Sequence, residues 1–107
     1  MQWDDMKRDY QKQLKALANA HRLDILEWLK DPRRHFRRQV DGDLVDDGVC
    51  ALLIEEKLGL AQPTTAQHLK ALVDAGFLTP KRIKKWTFYK RDDEALGEFT
   101  KALAETV

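Results

Sequence analysis

The stretch from residue 58 to residue 91 constrains the fold most strongly, because two kinds of apolar periodicity follow each other within it. Over 62–75 the apolar side chains recur at the spacing of an α-helix. Gly76 follows, and glycine is the residue that most readily ends a helix. Residues 78–83 and 85–90 then alternate with a period of two, which predicts a β-hairpin. A helix that leads through a glycine into a hairpin favours a small, mainly helical domain with one short sheet.

Apolar spacing and capping residues predict four further helices. The first covers 4–17, and the second begins after its cap Asn19 and is stopped by Pro32. The other two cover about 49–58 and 92–105. Asp47 is the expected cap of the third helix, and Gly59 is expected to end it in the left-handed conformation. The buried faces are expected to contain Leu23, Ile25, Leu26 and Leu29 in the second helix, and Thr65, Leu69, Leu72 and Val73 in the fourth. The predicted class is mainly α with a small β-hairpin, and residues 1–107 form one domain.

Residues 31–47 make an unusually long connection between the second and third helices. Its charges are segregated, with arginines before aspartates: Arg33, Arg34, Arg37, Arg38, then Asp41, Asp43, Asp46 and Asp47. Long connections in small domains are uncommon, so this one is either functional or partly strand-forming around Phe36 and Val40. We expect its aspartates to pair with the preceding arginines, within one subunit or across a dimer.

Positive charge is concentrated in the helix and hairpin of 61–91. This stretch holds seven Lys or Arg and the single acid Asp74, so it carries +6, whereas the whole chain carries +1 and the remainder −5. Such polarity is typical of a protein that binds a polyanion. The alternative for each lysine at the hairpin tip is that it only keeps an exposed sheet edge soluble and protects that edge from pairing.

Two short helices joined by a turn containing Gly59 fit a helix-turn-helix, whose second helix enters the DNA major groove by its N-terminal end. Gln62, Thr64, Gln67 and His68 would then face base edges, and Lys70 a phosphate. His68 has a structural alternative, in which it bonds to the backbone. The predicted DNA contacts comprise recognition-helix residues Gln62, Thr64, Thr65, Gln67, His68 and Lys70, and hairpin residues Lys81, Arg82, Lys84 and Lys85.

Four motifs in this order resemble the ArsR-type (ArsR/SmtB-like) winged helix-turn-helix repressors. They are LANAHRLDIL at 17–26, LGLAQPTTAQHLK at 58–70, AGFL at 75–78 and WTFYK at 86–90, and the resemblance covers about 12–104. It implies about five helices plus a two-stranded antiparallel wing at 77–91, a helix-turn-helix at 48–76, and dimerisation helices at 4–17 and 92–105. It further implies a homodimeric repressor that binds an inverted-repeat operator in double-stranded DNA and is released by an unknown effector.

The sequence departs from this family at several positions. Ala61 and Ala66 stand where serines are common, Lys84 replaces the glycine of the hairpin turn, and the 31–47 connection is longer than usual. Cys50 stands at the first position of a cysteine pair that many members use to sense soft metals, but Leu52 holds the second position. We therefore expect Cys50 to be a small buried hydrophobe, and predict no metal site and no cofactor. A Cys50-dependent response to metals or oxidants is the alternative.

Apolar stripes on the first and last helices predict a dimer interface, because a domain this small cannot bury both within itself. The expected interface residues are Trp3, Met6, Tyr10, Leu14, Leu96, Phe99 and Leu103. The alternative is that these stripes complete only the core of one chain.

Other functional classes fit the sequence less well. The chain contains no serine and no nucleophile–base set, phosphate-binding loop or metal cluster, so no enzyme is predicted. No apolar run is long enough to span a bilayer, no secretory signal is expected at the acidic N-terminus, and one cysteine fits a cytoplasmic location. A winged helix that binds another protein is the remaining alternative, and the +6 segment argues against it.

Overall fold

The computed structural model describes residues 3–107, and side chains from Tyr10 onward. Its elements follow in the order α1 (Trp3–Leu17), α2 (Ala20–Lys30), α3 (Pro32–His35), β1 (Val49–Cys50), α4 (Ala51–Leu58), α5 (Gln62–Asp74), β2 (Leu78–Ile83), β3 (Trp86–Arg91) and α6 (Asp93–Thr106). The strands form one antiparallel sheet in the order β1-β3-β2. This confirms the mainly α class with a helix pair followed by a hairpin.

Local sequence signals fix the ends of several helices. The Asn19 side chain accepts from the Arg22 N–H at 3.2 Å, and the Asp92 side chain accepts from the Ala95 N–H at 2.9 Å, so both residues are N-caps. Gly59 adopts a left-handed conformation with φ 69° at the end of α4, as its position predicts. The Asn19 and Gly59 predictions are therefore confirmed.

The prediction for Leu23 in α2 is wrong. Ile25, Leu26 and Leu29 are buried as expected, whereas Leu23 is 50% exposed. At about 100° per residue, Leu23 lies roughly 110° away from the centre of the stripe that the other three define. An apolar residue at that angle faces outward, whatever its hydrophobicity.

The connection after α2 contains the main departures from the prediction. Its start forms the short helix α3, and Phe36 packs edge-on against Trp28 with ring centroids 6.2 Å apart. Val40 is exposed and lies outside any strand. The strand forms instead at Val49–Cys50, which pairs with β3 and makes the sheet three-stranded.

Because β1 occupies Val49 and Cys50, the helix expected from residue 49 begins at Ala51. The predicted cap by Asp47 is wrong, since its carboxylate accepts from the backbone N–H of Asp43 at 2.7 Å and from Lys81. Gln39 helps to hold β1, donating to the Gly48 carbonyl at 2.8 Å and accepting from the Cys50 N–H at 3.1 Å.

The core lies between the helices and the inner face of the sheet. Its largest fully buried side chains are Phe77, Phe88, Ile25, Ile54, Leu69, Leu72, Leu78 and Val49. α6 closes it with Leu96 and Phe99, whose ring lies 5.4 Å from that of Phe77. This packing fixes α5 and the hairpin relative to each other.

Candidate nucleic-acid interface

The helix α5, which the sequence predicts to contact DNA, is anchored by one face and exposed on the other. Thr65, Leu69 and Leu72 point into the core, and Val73 is half-buried against it. The opposite face exposes polar side chains near the helix start, namely Gln62, Thr64, Gln67 and Lys70. The helix is thus held rigidly while its polar face stays accessible.

The start of α5 lacks a side-chain cap. Ala61 is the N-cap residue, with φ −62° and ψ 151°, and its methyl group cannot accept a hydrogen bond. Pro63 occupies the first turn and removes one of the amide donors there. The remaining first-turn amides are left to water or to an external acceptor.

Two residues predicted to contact DNA are not fully exposed, since Thr65 is buried and His68 is half-buried. Thr65 is only 2% exposed, and its Oγ1 has no hydrogen-bond partner among the residues described here. It therefore belongs to the anchoring face, which the helical pattern also predicted.

His68 is half-buried against α2. Its ring centroid lies 5.5 Å from that of His21. Burial lowers the pKa of His68, and the charges of Arg22 and His21 lower it further. Its Nδ1 is buried and finds no partner in the described part of the chain, so the expected alternative of a backbone bond is not seen there for this atom.

The wing, residues 77–91, places its cations at an exposed tip. Lys81, Arg82, Lys84 and Lys85 are all exposed. Lys84 adopts φ 55° in the turn, the left-handed conformation that glycine favours, so the hairpin closes despite the missing glycine. Lys85 lies over the Trp86 ring, with its Nζ 5.2 Å from the centroid.

The aspartates of 41–47, called the acidic loop below, pair mainly with the wing. Lys81 Nζ lies 2.5 Å from Asp47 Oδ1, and Lys84 Nζ lies 3.0 Å from Asp41 Oδ1. Of the expected arginine pairs, the structure contains Arg33 with Asp43 at 3.7 Å. The side-chain hydrogen bond from Lys81 lowers the pKa of Asp47. Sequence reasoning missed the wing pairs because they join residues 34 and 43 positions apart.

Cys50 lies in β1 and packs against the core, but it is only half-buried and so less buried than expected. Within the described residues no group of three or more His, Cys, Asp or Glu side chains is placed to hold a metal ion. In the same part of the chain, no helix is long and apolar enough to cross a membrane.

The predicted dimer residues divide into two sets. Leu96 and Phe99 are buried within one chain, with the Tyr10 ring 6.3 Å from that of Phe99, so these two residues complete the intrachain core. Leu14 is 43% exposed. The side chains of Trp3 and Met6 lie outside the described residues. An apolar groove of about 450 Å³ remains between α1 and α6, lined by Tyr10, Leu14, Ala18, Leu103 and Val107 among others.

Comparison with known proteins decides the family. The family model described as "Bacterial regulatory protein, arsR family" matches residues 51–79, from α4 into β2. The chain is also 48% identical over 84 residues to the uncharacterized HTH-type transcriptional regulator YbzH of Bacillus subtilis (strain 168), covering 78% of this chain and 84% of YbzH. The chain belongs to the ArsR family. It is therefore a DNA-binding transcriptional regulator and not an enzyme.

Solved structures of ArsR-family proteins share the fold. The ArsR family transcriptional regulator RHA00566 superposes with a TM-score of 0.69 at 17% identity, over 94% of this chain and 88% of that one. The homodimeric winged helix-turn-helix DNA-binding domain of Mb0332 from Mycobacterium bovis, a possible ArsR-family regulator, gives 0.66 at 20% identity, over 96% and 82%. The ArsR-family chain is thus a winged helix-turn-helix, with β1 added to the edge of its wing.

Proposed function

We propose that this ArsR-family regulator is a homodimeric, sequence-specific repressor of an inverted-repeat operator. The observation that carries the proposal is the exposed polar face of α5, held beside a cationic wing by a shared core. In this arrangement α5 enters the major groove and the wing lies along the backbone or the adjacent minor groove. The helix-turn-helix at 48–76 and the wing at 77–91 are the two functional parts.

Base reading is assigned to the exposed residues at the start of α5. Gln67 and Gln62 carry amides that can bond adenine in bidentate fashion, and Thr64 offers a hydroxyl and a methyl group. Lys70 is close to Asp74, with 2.6 Å between Nζ and Oδ2, and lies farther along the helix, where phosphates pass. Thr65 is left out of this surface because it is buried, and His68 is left out because it is half-buried beside His21 of α2.

Dimerisation is assigned to the apolar groove between α1 and α6. Tyr10, Leu14 and Leu103 offer apolar surface there that the side chains described from Tyr10 onward leave uncovered. The Mb0332 domain, which shares this fold, is homodimeric. A two-fold axis at the groove would set two α5 helices about 34–36 Å apart, the spacing of successive major grooves on one DNA face.

The test is discrimination between operator and random DNA. The operator is first obtained by selecting fragments that bind the purified protein. T64A/Q67A should then lose at least about tenfold of the operator-to-random affinity ratio, since each good base contact supplies about 1–3 kcal/mol. Binding to random DNA should persist, because phosphate contacts remain. T100A, an exposed threonine on α6, is the control and should keep the ratio. An unchanged ratio in T64A/Q67A would refute this recognition face.

A further inference from the structure

The acidic loop lies against the wing and neutralises part of it. Asp41 and Asp47 hold Lys84 and Lys81, while Arg82 and Lys85 have no acidic partner within residues 10–107. The two carboxylates are 24% and 22% exposed, far less than the 72% and 56% of their lysines. Each pair therefore consists of a partly buried acid and a more exposed, accessible cation.

The position of the loop is set by close backbone packing. A Cβ on Gly42 would lie 3.2 Å from Phe88 Cε1 and 3.4 Å from Ile83 Cδ1, so the loop passes directly over the sheet. Asp43 accepts from the N–H groups of Val45 and Asp46 at 2.9 and 2.8 Å, which keeps the turn in shape. The acids are thus presented to the wing by a loop that packs on the sheet and is closed by its own hydrogen bonds.

We propose that Asp41 and Asp47 compete with DNA phosphates for Lys84 and Lys81, and so set the strength and salt dependence of backbone binding by the wing. This inference rests on the proposed function, in which the wing lies on DNA. A lysine already paired with a carboxylate has fewer counterions to release, and an approaching phosphate is repelled by the nearby acid. The acidic loop would therefore reduce affinity for all DNA alike, because phosphates are common to every sequence.

The first experiment measures binding of random duplex DNA across a salt series, by fluorescence anisotropy. D41N and D47N should each tighten binding by roughly 2- to 5-fold, the range open to an exposed ion pair. Each should also steepen the slope of log K against log salt concentration by up to about 0.9 per released lysine. D46N is the matched control, since it removes the same charge from the same loop and Asp46 pairs with no lysine in the described structure. It should change affinity clearly less.

The second experiment measures the energetic coupling between Asp41 and Lys84 with a double-mutant cycle. K84A should weaken DNA binding more in the D41N background than in the wild type, because only there is the lysine fully available. K85A should weaken binding equally in both backgrounds. Asp47 also accepts from the Asp43 N–H, so D47N is checked by circular dichroism, whereas the Asp41 carboxylate bonds Lys84 and no other group recorded in the described structure. D41N therefore tests the inference even if D47N is misfolded.

DNA contact by the wing and competition by the acidic loop predict different results for these variants. If K81A, K84A and K85A leave DNA binding unchanged in every background, the wing does not lie on DNA and the proposed function is wrong in that respect. If the lysine variants weaken binding but D41N behaves like D46N and shows no coupling to K84A, the wing assignment stands and the competition is refuted.

Discussion

Gly48 connects the acidic loop to β1, and only glycine fits the backbone at this position. Its φ is +105°, and a Cβ there would lie 2.5 Å from the carbonyl oxygen of Tyr89. Its N–H donates to the Asp43 carbonyl at 3.1 Å, which closes the turn before β1. No side chain fits this position without moving the backbone of β3, so the path of the loop depends on this glycine.

We expect G48A to destabilise the protein by at least about 2 kcal/mol, from backbone strain and the clash with Tyr89. G97A is the control, because Gly97 lies within α6 and a Cβ there meets no described atom within 4 Å. That change should stabilise the protein by about 0.5–1 kcal/mol. Urea unfolding measures both, and wild-type stability in G48A would contradict the close approach of β1 to β3.

At the scale of elements, α5 combines an exposed polar face with an uncapped start. Ala61 has the extended backbone of an N-cap residue but no side chain to accept the free amides. The anchoring of α5 therefore depends on packing by Thr65, Leu69 and Leu72 rather than on a side-chain cap at its start. An element stabilised in this way is expected to gain directly from a better cap.

A61S should stabilise the protein by about 0.5–1 kcal/mol, because a serine hydroxyl at the N-cap accepts from a first-turn amide. A66S is the matched control, since Ala66 is exposed within the same helix and serine is a poorer helix former there by a few tenths of a kcal/mol. Thermal and urea unfolding compare the two. Equal effects of A61S and A66S would show that capping does not limit the stability of α5.

At the scale of the molecule, the apolar groove between α1 and α6 is the surface that the proposed dimer would cover. Leu14 and Leu23 are similarly exposed, at 43% and 50%, but only Leu14 lines the groove. This contrast separates loss of an interface from the general effect of placing a charge on a helix.

L14E should weaken dimerisation by at least about 30-fold, since burying an unpaired carboxylate costs several kcal/mol. L23E should remain dimeric. Sedimentation at micromolar concentration measures the assembly, and operator binding should fall with it, because both half-sites must be occupied together. A dimeric L14E would place the interface elsewhere.

The sequence by itself determined the features that depend on neighbouring residues. Asn19 and Gly59 mark helix ends through bonds and conformations within a few residues, and the period-two pattern of 78–90 marks the hairpin to within one residue. The exposed start of α5 follows from the same helical periodicity. These signals act over one helical turn or one strand pleat, so they can be read without the fold.

Only the tertiary structure decided the contacts between distant segments. The two residues of β1 are too few to show a period, and they form a strand because β3 offers an unpaired edge. Asp41 and Asp47 pair with lysines of the wing and not with the arginines that precede them in the sequence. The packing of the loop over the sheet brings these charges together. Such pairings depend on which surfaces the whole core makes adjacent, and a linear pattern carries no record of that.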